Sequence, residues 1–146
     1  MDAQLAEWKL LLAQSAHVQR ILQNKKEEKY MKILMSNGQV REGRFEDREG
    51  SQAFWHTTAH ILAQAVKRLY PDVKCAIGPA VEKGFYYDFE FSQPFTENDL
   101  PEVEAEMKKI AKEALPLMVY EVTKEEALSY MKGQGESYKL ELISQM

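Results

Sequence analysis

The sequence predicts an α+β fold, an antiparallel sheet with helices packed on it. Three observations lead there. Asn37-Gly38 sits between two strand-like runs, and both residues accept the positive φ that a tight hairpin demands. Phe54 to Leu69 is apolar at helical spacing and stops at Pro71. "CAIGPAVEKGFYYDFEF", residues 75–91, reads as two strands around Glu82-Lys83-Gly84.

Taken in order, residues 2–28 read as one long amphipathic helix. Leu5, Trp8, Leu11, Leu12, Ala16, Val18, Ile21 and Leu22 recur on one stripe, and a charged exit follows from Asn24 to Lys29. His17 falls in this segment and reads as a surface residue. A stripe of this kind has to be covered, by the chain itself or by self-association with a second copy. Residues 29–45 form the first hairpin, and "EDREGSQ" reads as a polar linker. After the 54–69 helix and the 75–91 hairpin, "SQPF" leads to a third helix. Thr96 or Asp99 can cap it. Asp99 is the better fit, since Pro101 then lies in the first turn and Glu102 closes a capping box. Leu100, Val103, Met107, Ile110 and Ala114 make its apolar stripe. "PLMVYEVT", 116–123, reads as a strand. Thr123 with Glu126 opens a short helix that ends near Gly133, and the alternation of "SYKLELI", 137–143, predicts a last strand. The order is ββ-α-ββ-α-β-α-β behind the N-terminal helix, with units at 1–28, 29–52 and 53–146.

Composition narrows the function classes. Of the 146 residues, 45% are apolar and 29% charged, an ordinary globular balance. No apolar run approaches the ~18–20 residues of a membrane span, and Asp2 and Glu7 stand where a signal peptide would be basic. Cys75 is the single cysteine, so no internal disulfide is available and a reducing cytoplasm is the expected setting. A net charge of −4 argues against a broad basic surface, although a local patch for RNA is compatible with it.

Two of the three histidines, His56 and His60, lie in "HTTAH". On a wheel of about 100° per residue, Phe54, Thr58, Ile61, Leu62, Ala65 and Leu69 fall to one side. His56, His60, Ala63 and Lys67 fall to the other. One turn apart, the two imidazoles can point into one space. There they can act as acid or base, orient a water, or hold a metal such as zinc. The same spacing also suits a plain solvated face, and both readings stay open. A zinc-protease reading fails, because Thr57 stands where that motif needs Glu. Cys75 is either a third ligand or a small buried residue at the start of a strand. Lys67, Arg68, Lys74 and Lys83 form either a basic rim or ordinary surface charge. Alternation puts Phe85 and Tyr87 on one strand face and Tyr86 on the other, so one face belongs to the core. Lys108, Lys109 and Lys112 lie among glutamates and read as a solvated face.

Four stretches together carry a recognisable pattern: "HTTAHILAQAVKRLYPDVK", "AIGPAVEKGFYYDFEF", "FTENDLPEVEAEMKKIAKEALP" and "EEALSYMKGQGESYKLELI". In order and spacing they resemble the N-terminal editing region of threonyl-tRNA synthetase, a domain shared with alanyl-tRNA synthetase, over residues 53–143. The resemblance implies an aminoacyl-tRNA hydrolase domain of a class II ligase family. Such a domain removes serine wrongly attached to the threonine tRNA, because a pocket that accepts threonine rejects the slightly smaller serine weakly. It implies that His56, His60 and Lys139 line the catalytic site and that Tyr87 lies near the terminal adenosine of the tRNA acceptor end. The family site is completed by a C-x-x-x-H motif beyond the "YKLELI" stretch. This sequence reaches Met146 before any such motif, so an incomplete and weakly active or inactive site is expected. "MKILMSNGQVREGRFED" resembles only the first hairpin of the TGS domain with which the family opens. Two alternatives are a tRNA- or partner-binding module without chemistry, and the N-terminal region of a uridine-kinase-like fusion.

Overall fold

The computed structural model describes residues 30–146. The helix expected at 2–28, and His17 with it, lies outside the described residues. The α+β class stands: the described residues form four α-helices and three two-stranded antiparallel ribbons.

Strands β1 (Met31–Leu34) and β2 (Val40–Gly43) form the first hairpin, with Leu34 opposite Val40. Gly38 takes φ +79° in its loop, and the Asn37 side chain accepts from the Gln39 amide at 3.0 Å, so the Asn-Gly pair does close the turn. Helix α1 follows at Arg48–Leu69. It begins six residues ahead of Phe54 and takes up most of the expected linker. Gly50 permits this early start, because a Cβ there would stand 1.8 Å from the Arg44 carbonyl oxygen. The hairpin's exit can therefore lie directly on the helix. Phe45 packs edge-to-face on Phe54 at 5.2 Å and on Trp55 at 5.7 Å. Each such pair adds about 0.5–1.5 kcal/mol beyond its buried area.

The 75–91 hairpin forms with one interruption. Its base pairs β3 (Lys74–Cys75) with β6 (Phe89–Glu90), and its tip pairs β4 (Ala80–Val81) with β5 (Gly84–Phe85). Bonds between the backbones of Ala76, Ile77 and Asp88 continue the ladder from the base. It then lapses where Gly78-Pro79 faces Tyr86-Tyr87. Pro79 has no N–H to give, and the Tyr87 ring fills the space beside Gly78, where a Cβ would lie 2.0 Å from Tyr87 Cδ2.

Helix α2 (Leu100–Glu113) is entered through a 3₁₀ turn at Glu97–Asp99. The capping box is Thr96 with Asp99, one turn earlier than the Asp99–Glu102 box expected. Asp99 Oδ2 accepts from the Thr96 amide at 2.7 Å and from its hydroxyl at 2.9 Å. Val103 and Ile110 are buried, as the stripe requires, while Ala114 is exposed in the left-handed region. Arg68 on α1 clamps α2 by a bidentate pair with Glu113, at 2.7 and 2.8 Å, and by Glu106 at 3.0 Å.

Two expected strands are absent. Residues 116–123 carry no regular structure, and Leu117, Met118, Val119, Tyr120 and Val122 are exposed. Among the described residues no strand lies beside them to complete a ladder. Residues 137–143 are helical instead, within α4 (Ser137–Gln145), which follows α3 (Lys124–Gly133). Without a neighbouring strand, the N–H and C=O groups of "SYKLELI" have to be satisfied locally, and Leu, Lys and Glu are good helix formers. Gly135, at φ +71°, turns the chain between the two helices. The Thr123–Glu126 box opens α3 as expected.

The core gathers Trp55, Ala59, Leu62, Ala65 and Val66 of α1 with Val73, Cys75, Phe85, Tyr87, Phe95, Val103 and Ile110. The buried line of α1 thus runs through Trp55, Ala59 and Val66 as well as Leu62 and Ala65. Phe54, Thr58, Ile61 and Leu69 are half-buried at its flank.

Candidate functional site

Helix α1 has two working faces. With Trp55 placed at 0°, the buried core residues Ala59, Leu62, Ala65 and Val66 lie within about 80° of it. His56 and His60 come at about 100° and 140°, beside Ala63 and Lys67, when successive residues advance by about 100°. Both histidines are exposed. Their rings meet edge-to-face, with centroids 4.5 Å apart and an interplanar angle of 88°, and Nε2 of one lies 3.0 Å from Nε2 of the other. One nitrogen must carry a proton and the other accept it. Which ring donates depends on their tautomers.

Lys139, in the first turn of α4, lies within electrostatic reach of His60. Its charge acts on His60, whose pKa is lowered, first by desolvation, then by His56, then by Lys139. His60 counts as exposed by its overall surface, yet the chain packed around its ring removes enough water to disfavour the imidazolium. Lys139 also lies within electrostatic reach of Cys75, as does Lys67. Burial pushes the Cys75 thiol up, and the two lysines oppose that rise. Of the residues marked in the sequence, His56 and His60 are in contact, and Lys139 lies within electrostatic reach of His60.

Tyr87 is set differently. It is 6% exposed, stacks on Phe89 at 4.5 Å, and lies within electrostatic reach of Cys75. Burial, with a smaller contribution from Cys75, pushes its phenol up to about 12. Its ring is a wall of the core behind the site rather than a free stacking platform, and Phe85 is buried with it.

Three of the four basic residues are drawn to separate partners. Lys67 pairs with Glu136, Arg68 turns toward α2, and Lys74 bonds Glu90 at 2.8 Å. On α2, Lys108 and Lys109 pair with Glu104 at 2.7 Å and Glu106 at 3.6 Å, which fits a solvated face. For a metal, His56 and His60 supply two nitrogen donors. Among the described residues no group of three or more His, Cys, Asp or Glu side chains is placed to hold an ion, and Cys75 lies in the core. Two imidazoles fall short of the four ligands a closed zinc site takes. No helix among the described residues is long and apolar enough to cross a membrane.

Sequence reasoning passed over Glu136. At 8% exposure it is the one charged side chain buried among the described residues, and it holds Lys67 of the histidine face. Set just after Gly133 and Gly135, it carries no local sequence signal of burial.

The His60 geometry fixes a pH dependence. A folded pKa below the ordinary histidine value near 6.5 means that the unfolded chain takes up the proton first as pH falls. This contribution to stability is present above the unfolded pKa and is lost as pH falls through the folded one. Glu90, Glu113, Glu126 and Asp99 are held below their usual values by hydrogen bonds, so their losses come at lower pH. Thermal unfolding at pH 7.5 and pH 5.5 is expected to show a drop in Tm that shrinks in His60→Gln. An equal drop in the variant would remove His60 as the cause.

No family model matches the chain. It is 57% identical over 103 residues to a threonine–tRNA ligase of Clostridioides difficile, 55% over 102 residues to one of Caldanaerobacter subterraneus, and 46% over 113 residues to one of Finegoldia magna. These matches take in 70, 70 and 77% of this chain but 16, 16 and 18% of the relatives. The chain thus spans about a sixth of the length of the curated relatives it matches. The likeness to threonyl-tRNA synthetases read from the motifs is borne out by these relatives.

Proposed function

We propose that this chain, kin to one stretch of the threonine–tRNA ligases, is an ester-hydrolysing domain that acts at the acceptor end of the threonine tRNA and releases wrongly attached serine. The observation that carries the reading is the His56–His60 contact at 3.0 Å with the charge of Lys139 bearing on it.

The chemistry follows from those three groups. Hydrolysis of an aminoacyl ester needs a water deprotonated as it attacks the carbonyl carbon, a charge to meet the developing oxyanion, and a proton for the departing ribose hydroxyl. His60, biased toward its neutral form, can take the proton from water. His56, hydrogen-bonded to it, can relay a proton to the leaving oxygen. The Lys139 ammonium, held on the same side, can face the oxyanion. The carboxyl group of serine and the free ribose hydroxyl are the products. Tyr87 serves by holding the wall against which the terminal nucleoside would rest. Zinc at the histidine pair would need further donors and is no part of this scheme. Residence in the cytoplasm accompanies the reading as the compartment of its substrate.

The test is release of labelled serine from seryl-tRNA for threonine, with threonyl-tRNA alongside. Slow release above the spontaneous rate, with threonine spared, is the result that supports this reading of a weak site. Saturable binding of the tRNA without release would replace this reading with that of a binding module. Neither binding nor release would end both.

A further inference from the structure

Helix α4 carries Lys139 but has no buried residue. It is not anchored by an apolar stripe in the way α1 and α2 are. What joins its first turn to the body is polar, and comes in two parts. The Tyr138 hydroxyl donates to Glu90, which also accepts from Lys74 at 2.8 Å; this ties α4 to β3 and β6. Glu136, immediately before the helix, pairs with Lys67 on the histidine face of α1.

We infer that the Glu136–Lys67 pair is a latch that holds the start of α4 on the histidine face of α1 and so keeps Lys139 within reach of His60, which makes Glu136 a positioning residue that acts through Lys139. The inference rests on reading His56, His60 and Lys139 as one site. Glu136 stands at the N-terminal border of α4, where a carboxylate would ordinarily cap free backbone amides, yet it makes no such bond. It spends its charge across the gap on Lys67, and its side chain is 9% exposed against 38% for Lys67. A buried carboxylate without a partner is strongly disfavoured, so the start of α4 cannot drift from Lys67 at small cost. Lys67 lies seven residues after His60 on the same face, and Lys139 lies three residues after Glu136, on the same side of the first turn of α4. Fixing the 67–136 contact therefore fixes which part of α1 Lys139 can meet.

The test uses Glu136→Gln, the charge exchange Lys67→Glu/Glu136→Lys, and Lys139→Met as the reference for a lost lysine. The readout is the NMR titration of the His60 ring, on which His56 from its own helix and Lys139 from α4 act. Lys139 is the weakest of the three influences on His60, so the shift is small and has to be read residue by residue. Glu136→Gln is expected to move the His60 titration upward to its position in Lys139→Met, and the charge exchange to bring it back toward wild type. Serine release, where wild type shows it, is expected to fall and recover in parallel. A His60 titration unchanged in Glu136→Gln overturns the latch. Should that variant not fold, Lys67→Gln asks the same question from α1, and an unmoved titration there overturns it equally. The expected titration shifts in a chain that releases no serine would sink the hydrolytic reading and leave the latch standing.

Discussion

Replacing His56 and His60 together by alanine is expected to bring the serine release that the chain shows from seryl-tRNA for threonine down to the spontaneous rate, since the positioned acid–base pair is lost. The unfolding free energy is expected to stay within about 1 kcal/mol of wild type, since each exposed substitution falls within about ±0.5 kcal/mol. Both halves of the expectation come from the same face of α1. The two rings are exposed and lie off the buried line through Trp55, Ala59, Leu62 and Val66, so their loss opens no cavity. Their mutual hydrogen bond disappears with both partners, which leaves no orphaned group. Alanine is also the better helix former. A rate that survives the double substitution would place the chemistry elsewhere in the chain. A collapse in stability would make the pair structural. Single-turnover rates beside urea unfolding of the same preparations separate the two.

The parts of this molecule legible in its sequence are those where local chemistry and tertiary contact agree. Asn37-Gly38 makes its turn, though with Gly38 alone at positive φ and Asn37 acting through its side chain, Thr123 and Glu126 make their box, and Pro71 ends α1 where a missing N–H should. The histidine face was legible for the same reason, because helical spacing alone carries His56 to His60. What was not legible depends on partners distant in sequence. "PLMVYEVT" and "SYKLELI" both alternate, but alternation makes a strand only beside another strand. Lacking one among the described residues, the first stays irregular and the second closes its hydrogen bonds within a helix. Spacing alone centres the α1 stripe too far toward Phe54 and leaves out Trp55, Ala59 and Val66. Trp55 is drawn into the core by Phe45, at 5.7 Å, and by Phe85, at 6.2 Å, both outside the helix. Glu136 was missed because a glutamate after Gly135 looks like solvent-facing loop until Lys67 arrives from 69 residues earlier in the chain. Tyr87 was marked for the substrate, while its burial could be foreseen only as one of two strand faces.

The opposite face of α1 gives the complementary expectation. Leu62→Ala is expected to cost about 2–5 kcal/mol of unfolding free energy, the lost transfer of the removed carbons plus the cavity they leave. Leu62 is 1% exposed, between Ala59 and Val66 on a line where Ala59 and Ala65 are wholly buried. Alanines on either side have no longer side chains to swing into the gap, so relaxation has to come from movement of α1 against the hairpin or α2. That places the cost toward the upper part of the range. The loss is read from the urea midpoint at constant slope, and a change under about 1 kcal/mol would contradict the buried position of this face. Leu62 and His60 are two residues apart on one helix, about 160° from each other. If one face binds the fold and the other carries the chemistry, Leu62→Ala has to lower stability while the rate per folded molecule stays near wild type. The histidine double variant has to do the reverse. A Leu62→Ala chain that loses its rate beyond its loss of folded molecules would show that the two faces are coupled, with a displaced α1 carrying His60 away from Lys139.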